Sequence, residues 1–153
     1  MFNALKPTVV FQEVPNEISL CISITGCKLG CKGCHSTELW DERNGEPLTN
    51  QLFQHWLNQY QGLISCVCFM GGEWQTNALR EKLVIAKTAG LKTCLYTGED
   101  HISPELMPFL NFAKLGRWQP ELGGLNEQFT NQRFIDLATG ENLNPLFIKN
   151  IAA

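Results

Sequence analysis

The fold is read from Leu63-Ile-Ser-Cys-Val-Cys-Phe-Met70, the turn Gly71-Gly72-Glu73, the segment 76–89, and Leu91-Lys-Thr-Cys-Leu-Tyr-Thr97. The first run is apolar except for Ser65, as strands buried on both faces are. Residues 76–89 are expected to form a helix, closed by Gly90 at the position after its C-cap. Leu91–Thr97 then supplies another core strand, ending at Gly98. Upstream, residues 16–24 alternate, with Ile18, Leu20, Ile22 and Ile24 on one face and Ser19, Cys21 and Ser23 on the other. A period of two is that of a strand, and Val9–Phe11 is expected to pair with it. Between these strands, Leu52, Phe53, Trp56, Leu57 and Tyr60 fall at helical spacing, with Thr49 as N-cap.

Strand, helix, strand, helix, strand predicts an α/β fold with a mostly parallel sheet and right-handed crossovers. The chain has 153 residues, and a complete eight-stranded barrel takes about 250. The expectation is therefore an incomplete, open β/α barrel. Downstream, Ser103-Pro104 predicts a short helix limited by Pro108, and 109–116 a further strand. From about residue 116 onward the texture is that of loops and a possible hairpin, read as a C-terminal extension of one domain spanning 1–153.

An apolar fraction of 44% and a charged fraction of 18% describe a folded chain rather than a disordered one. A net charge of −3 without a basic stripe gives no footprint for nucleic acid. No apolar run is long enough to span a bilayer, and Met1–Thr8 does not read as a secretory leader. A cytoplasmic location is expected, with no membrane partner. Seven cysteines in such a compartment point to metal or redox chemistry rather than disulfides.

Three of the seven stand together as Cys27-Lys-Leu-Gly-Cys31-Lys-Gly-Cys34. A C-x3-C-x2-C loop can give one thiolate to each of three irons of a cubane cluster and leave the fourth open. Zinc sites pair C-x2-C with a second Cys or His pair downstream, and none follows here. Gly30 and Gly33 let the backbone curl round a bulky group. The loops 25–36, 70–74 and 97–101 all fall at strand C-termini, the rim on which α/β sheets place their ligands. Cys66, Cys68, Cys94 and Cys21 lie within strands and read as core residues, since buried thiols behave as small apolar groups. Taken alone, Gly71-Gly72-Glu73 is an ordinary strand-to-helix turn.

Taken together, the cysteine motif after a first strand and a Gly-Gly-acid turn after the second core strand resemble the radical S-adenosylmethionine enzymes. Within them, Cys31-Lys-Gly-Cys34-His35, Ser36-Thr-Glu-Leu-Trp40, Tyr96-Thr-Gly98, Glu121-Leu-Gly-Gly-Leu125 and Thr130-Asn-Gln132 resemble the activating proteins of anaerobic ribonucleoside-triphosphate reductases. The resemblance runs from about residue 13 to residue 134. It implies a [4Fe–4S] cluster on Cys27, Cys31 and Cys34, with S-adenosylmethionine chelating the fourth iron. It places Gly71, Gly72 and Glu73 at the methionine amino group, and Gly33, Cys34 and His35 beside the nucleoside. Thr97 is a weaker candidate for the same nucleoside, and His35 reads equally well as a surface or capping residue. The activity implied is reductive cleavage of S-adenosylmethionine, yielding a 5′-deoxyadenosyl radical that makes a glycyl radical on the reductase. The implied partners are the glycyl radical subunit of that reductase and a low-potential electron donor such as flavodoxin. One departure stands out: Trp74 occupies the position after the acid where the family commonly has proline. Two other readings are a small-molecule radical enzyme of the deazapurine type and a non-catalytic iron–sulfur or zinc module for electron transfer or structure.

Overall fold

The computed structural model describes residues 1–31, 33–34 and 36–148. In chain order its elements are β1 (Asn3–Ala4), β2 (Thr8–Val10), β3 (Ser19–Ser23), β4 (Glu46–Pro47) and α1 (Asn50–Gln59). These are followed by β5 (Cys66–Met70), α2 (Thr76–Thr88), β6 (Lys92–Tyr96), β7 (Phe112–Leu115) and β8 (Arg133–Asp136). The main sheet has the order β2-β3-β5-β6-β7-β8. β3, β5, β6 and β7 run parallel, while β2 and β8 close the two edges antiparallel. β1 and β4 form a separate two-stranded antiparallel pair.

Local chemistry sets the helix ends. Thr49 Oγ1 accepts from the Leu52 N–H at 3.0 Å, satisfying one of the amide donors that the first turn of α1 leaves free. α2 stops at Gly90, whose φ of 80° is readily adopted only by glycine; its N–H reaches the Lys87 carbonyl, and Leu91 N–H reaches Ala86.

Both helices cover one face of the sheet. Leu20, Ile22 and Ile24 of the alternating strand point there, joined by Val67, Phe69 and Leu95 and packed against Phe53, Leu57, Leu79, Leu83 and Ala86. Each such Leu or Phe contributes about 1.5–3 kcal/mol when fully buried. The opposite face carries Cys66, Cys68 and Cys94. It is covered by the C-terminal segment through Leu125, Phe134, Leu143 and Phe147, with Val14 from the N-terminal side.

This architecture corrects the expected open barrel. Among the described residues the chain forms an open, mixed six-stranded sheet with two α-helices, and a β/α barrel needs a helix after each strand. Two physical features oppose closure. Antiparallel β2 and β8 terminate the parallel run, and side chains of the tail cover the sheet face that a barrel would enclose. The helix expected at Ser103-Pro104 is also reduced, to a turn and a single 3-10 turn at Met107–Phe109 that contains Pro108. No helix among the described residues is long and apolar enough to cross a membrane.

Candidate iron–sulfur site

The parallel strands bring four loops to one rim: 24–36 after β3, 71–75 after β5, 97–101 after β6 and 116–132 after β7. The cysteine loop leaves the sheet through Gly26, whose φ is 98°. The Gly26 and Cys27 amides both donate to the Leu39 carbonyl, at 2.6 and 3.0 Å, which pins the start of the loop. Gly30 and Gly33 also have positive φ, 61° and 72°, so the loop does curl where its glycines stand. Cys34 N–H donates to the Cys31 carbonyl at 3.1 Å, and Ser36 N–H points at Cys34 Sγ at 3.4 Å.

Exposure separates the seven thiols into two groups. Cys27, Cys31 and Cys34 are half-buried and free, open to a ligand from the rim, whereas Cys21, Cys66, Cys68 and Cys94 are buried. Cys21, Cys68 and Cys94 sit side by side on neighbouring strands, paired in register. Burial pushes the Cys21 and Cys66 thiols up to about 12 and raises Cys94 as well. These four are neutral, apolar core groups. Among the described residues no three His, Cys, Asp or Glu side chains converge on one point that a single metal ion could occupy. A cubane asks for a different arrangement, one thiolate for each of three irons, and C-x3-C-x2-C on a glycine-hinged loop provides that donor set.

The Gly-Gly-acid turn lies beside this loop, and Trp74 links the two. A Cβ on Gly71 would come within 2.8 Å of the Trp74 ring, and one on Gly26 within 3.7 Å of its Nε1. Gly72, at φ 100°, lies against Phe2, with 3.0 Å between that ring and a notional Cβ. The glycines thus have a packing reason the sequence did not reveal: the backbone must pass under two aromatic rings. The tryptophan found in place of proline fills the gap between the two loops.

Glu73 is the most informative side chain at the rim. Its Oε1 accepts from Thr97 Oγ1 at 2.8 Å, while Oε2 is shut off from solvent with no hydrogen-bond partner. Burial lifts its carboxyl above the ordinary value, and hydrogen bonds from the backbone and Thr97 only partly oppose this. A buried carboxylate oxygen without a donor is costly unless a ligand supplies one. Glu73 opens on a cavity of about 470 Å³ also lined by Lys28, Leu29, Trp74, Thr97 and Glu99. That volume is typical of sites for a small molecule or cofactor.

Residues of the tail complete the rim, and sequence reasoning missed them. Arg117 Nη2 donates to the Leu29 carbonyl at 3.2 Å. Pro120 and Trp118 press on Gly33, where a Cβ would meet them at 3.1 and 3.4 Å. On that side a second hollow, about 540 Å³, runs past Gly30 and Cys31. Lys114, at the end of β7, is 9% exposed. Nothing in the sequence signalled it, since one lysine in Phe-Ala-Lys-Leu reads as a solvent-facing position. Cys27, Cys31, Cys34, Gly33, Gly71, Gly72 and Glu73 are therefore brought to one rim, and His35 lies outside the described residues.

Residues 18–104 match the 4Fe-4S single cluster domain family, and the match contains the whole cysteine loop and the Gly-Gly-acid turn. It covers more than half of the chain. The chain belongs to this family of iron–sulfur cluster domains. Comparison with curated proteins gives no match.

Proposed function

We propose that the chain is a radical S-adenosylmethionine activase that installs a glycyl radical on an anaerobic ribonucleoside-triphosphate reductase. The observation that carries this reading is Glu73, which lines the cavity beside the cysteine loop and whose buried Oε2 has no hydrogen-bond partner. An ammonium group such as that of a methionine moiety is the complementary ligand, because a charge-assisted hydrogen bond would satisfy the orphaned oxygen. The three half-buried thiols would hold three irons of a cubane and leave the fourth to a second group of the same molecule. Cluster and S-adenosylmethionine, when bound, supply one-electron reductive cleavage of the sulfonium C–S bond and a radical that takes hydrogen from a glycine Cα.

The chain's own residues bind and orient the ligand. Thr97 holds Oε1 of Glu73 and leaves Oε2 without a partner from the chain. Leu29 packs so closely on Gly98 that a Cβ there would lie 2.3 Å from its Cδ1, which docks the cysteine loop on the end of β6. Trp74 walls the cavity between the two loops. The motifs at 121–125 and 130–132 lie beyond the family match, in the tail that presses on Gly33, and their resemblance to reductase activators favours a protein substrate.

A second reading is an electron-transfer or structural cluster module, favoured by the family's description, which names a single cluster and no other cofactor. Anaerobic reconstitution with S-adenosylmethionine and dithionite separates the two. The activase yields methionine and 5′-deoxyadenosine, and a stable glycyl radical by EPR on the added reductase. A reducible cluster that consumes no S-adenosylmethionine refutes the activase and leaves the module. Cleavage without a glycyl radical on the reductase would instead place the chain among small-molecule radical enzymes.

A further inference from the structure

We infer that Lys114 is the counter-cation of the iron–sulfur cluster, placed at the end of β7 to favour its reduced state. This rests on the cluster, which the family establishes, and is independent of S-adenosylmethionine. In register Lys114 lies between Tyr96 on β6 and Phe134 on β8, so its stem is packed in the apolar face of the sheet. Its Nζ is 5.8 Å from the centre of the Tyr96 ring and donates to the Gly116 carbonyl at 3.0 Å. An ammonium has three donors. Among the described residues that carbonyl is its one hydrogen-bond acceptor, and the ion pairs found there, Arg43–Asp41 and Lys92–Glu17, do not include it.

Burying a cation this far without a paired anion is unfavourable, and desolvation pulls Lys114 down to about 8. The groups that act against this are Cys31, Glu73, Cys94 and Cys34, in that order. Two of them are cluster ligands, Glu73 is the buried carboxyl on the same rim, and Cys94 is a neutral core thiol. Leu29 of the cysteine loop and Arg117 both pack at Gly98, next to the Gly116 carbonyl that holds Nζ, so the lysine stands behind that loop with donors to spare. The next residues of its own strand end tie it there: Gly116 holds Nζ, and Arg117 holds the Leu29 carbonyl inside the cysteine loop. Reduction adds one electron, and hence one negative charge, to the cluster from a low-potential one-electron donor. A cation shielded from water beside it stabilises the product of that step more than the reactant.

The test is the midpoint potential of the reconstituted full-length chain, titrated anaerobically with dithionite and followed by EPR, for wild type, Lys114→Met and Lys114→Arg. Lys114→Met keeps the apolar stem and removes the charge. At a fixed potential it is expected to shift the oxidised-to-reduced ratio at least tenfold toward oxidised, which is about 59 mV for one electron. Lys114→Arg, which keeps the charge, is expected to recover most of that shift. An unchanged midpoint in Lys114→Met, at full cluster content, overturns the inference. So does an arginine variant that shifts as far as the methionine one, because the effect is then packing. Should Lys114→Met fail to retain a cluster, Lys114→Gln provides the same reading.

Discussion

Replacing Glu73 by Gln tests the cavity at its most exposed assumption. The substitution keeps the shape and an oxygen for Thr97, so the 2.8 Å hydrogen bond that fixes the side chain survives. It removes the negative charge behind Oε2, the oxygen that has no partner within the protein. A hydrogen bond to a charged group contributes about 1.5–3 kcal/mol. At 1.4 kcal/mol per factor of ten, Glu73→Gln should weaken S-adenosylmethionine binding roughly 10- to 150-fold. Anaerobic equilibrium dialysis of labelled S-adenosylmethionine against the reconstituted protein measures this directly, with iron content as control. The unliganded fold should respond in the opposite sense. Burial raises the Glu73 carboxyl above 4.5, so from that value up to its raised one the folded chain binds more proton than the unfolded chain. Stability contributed by this group therefore falls as pH rises through that window and is level above it. In urea unfolding of the cluster-free chain between about pH 4 and about pH 7, Glu73→Gln should lose that decline. Binding of S-adenosylmethionine within twofold of wild type would refute the assignment of Oε2 to the ligand.

Six further substitutions probe the metal loop and its surroundings. Cys27→Ala, Cys31→Ala and Cys34→Ala should each abolish the visible absorption and EPR signal of the cluster. Cys66→Ala and Cys68→Ala should retain both at a stability cost of about 1 kcal/mol, because these thiols fill space in the second core. Gly98→Ala should keep the fold but drive Leu29 away, because the added Cβ would lie 2.3 Å from its Cδ1, and should lower iron content after reconstitution. Undiminished iron in Gly98→Ala would mean that docking of Leu29 does not set the loop.

How far these features are legible in the sequence depends on whether their cause is local. The alternation of Leu20, Ile22 and Ile24, the Thr49 cap and the Gly90 stop are local, and the structure has a strand or helix end at each. Barrel closure is not local. The crossover pattern 63–97 is common to barrels and open sheets, and the outcome depends on what pairs at the far edges. Here those partners are the three residues of β2 and the four of β8, too short to announce their direction. β1 and β4, of two residues each, have no period at all. The cysteine loop was legible because its chemistry is written in spacing. Glu73 was legible as an acid in a turn, but its tether Thr97 is 24 residues away. The least legible feature was the tail, whose Arg117, Trp118 and Pro120 meet the cysteine loop only because β7 ends on the same rim.

The most direct measurement is the EPR spectrum of the reduced, reconstituted cluster recorded with and without S-adenosylmethionine. If the open iron and Glu73 hold this molecule, the spectrum changes on its addition in wild type and changes far less in Glu73→Gln at the same concentration. A reduced cluster whose spectrum is identical with and without saturating S-adenosylmethionine would contradict that account and leave the chain an iron–sulfur module.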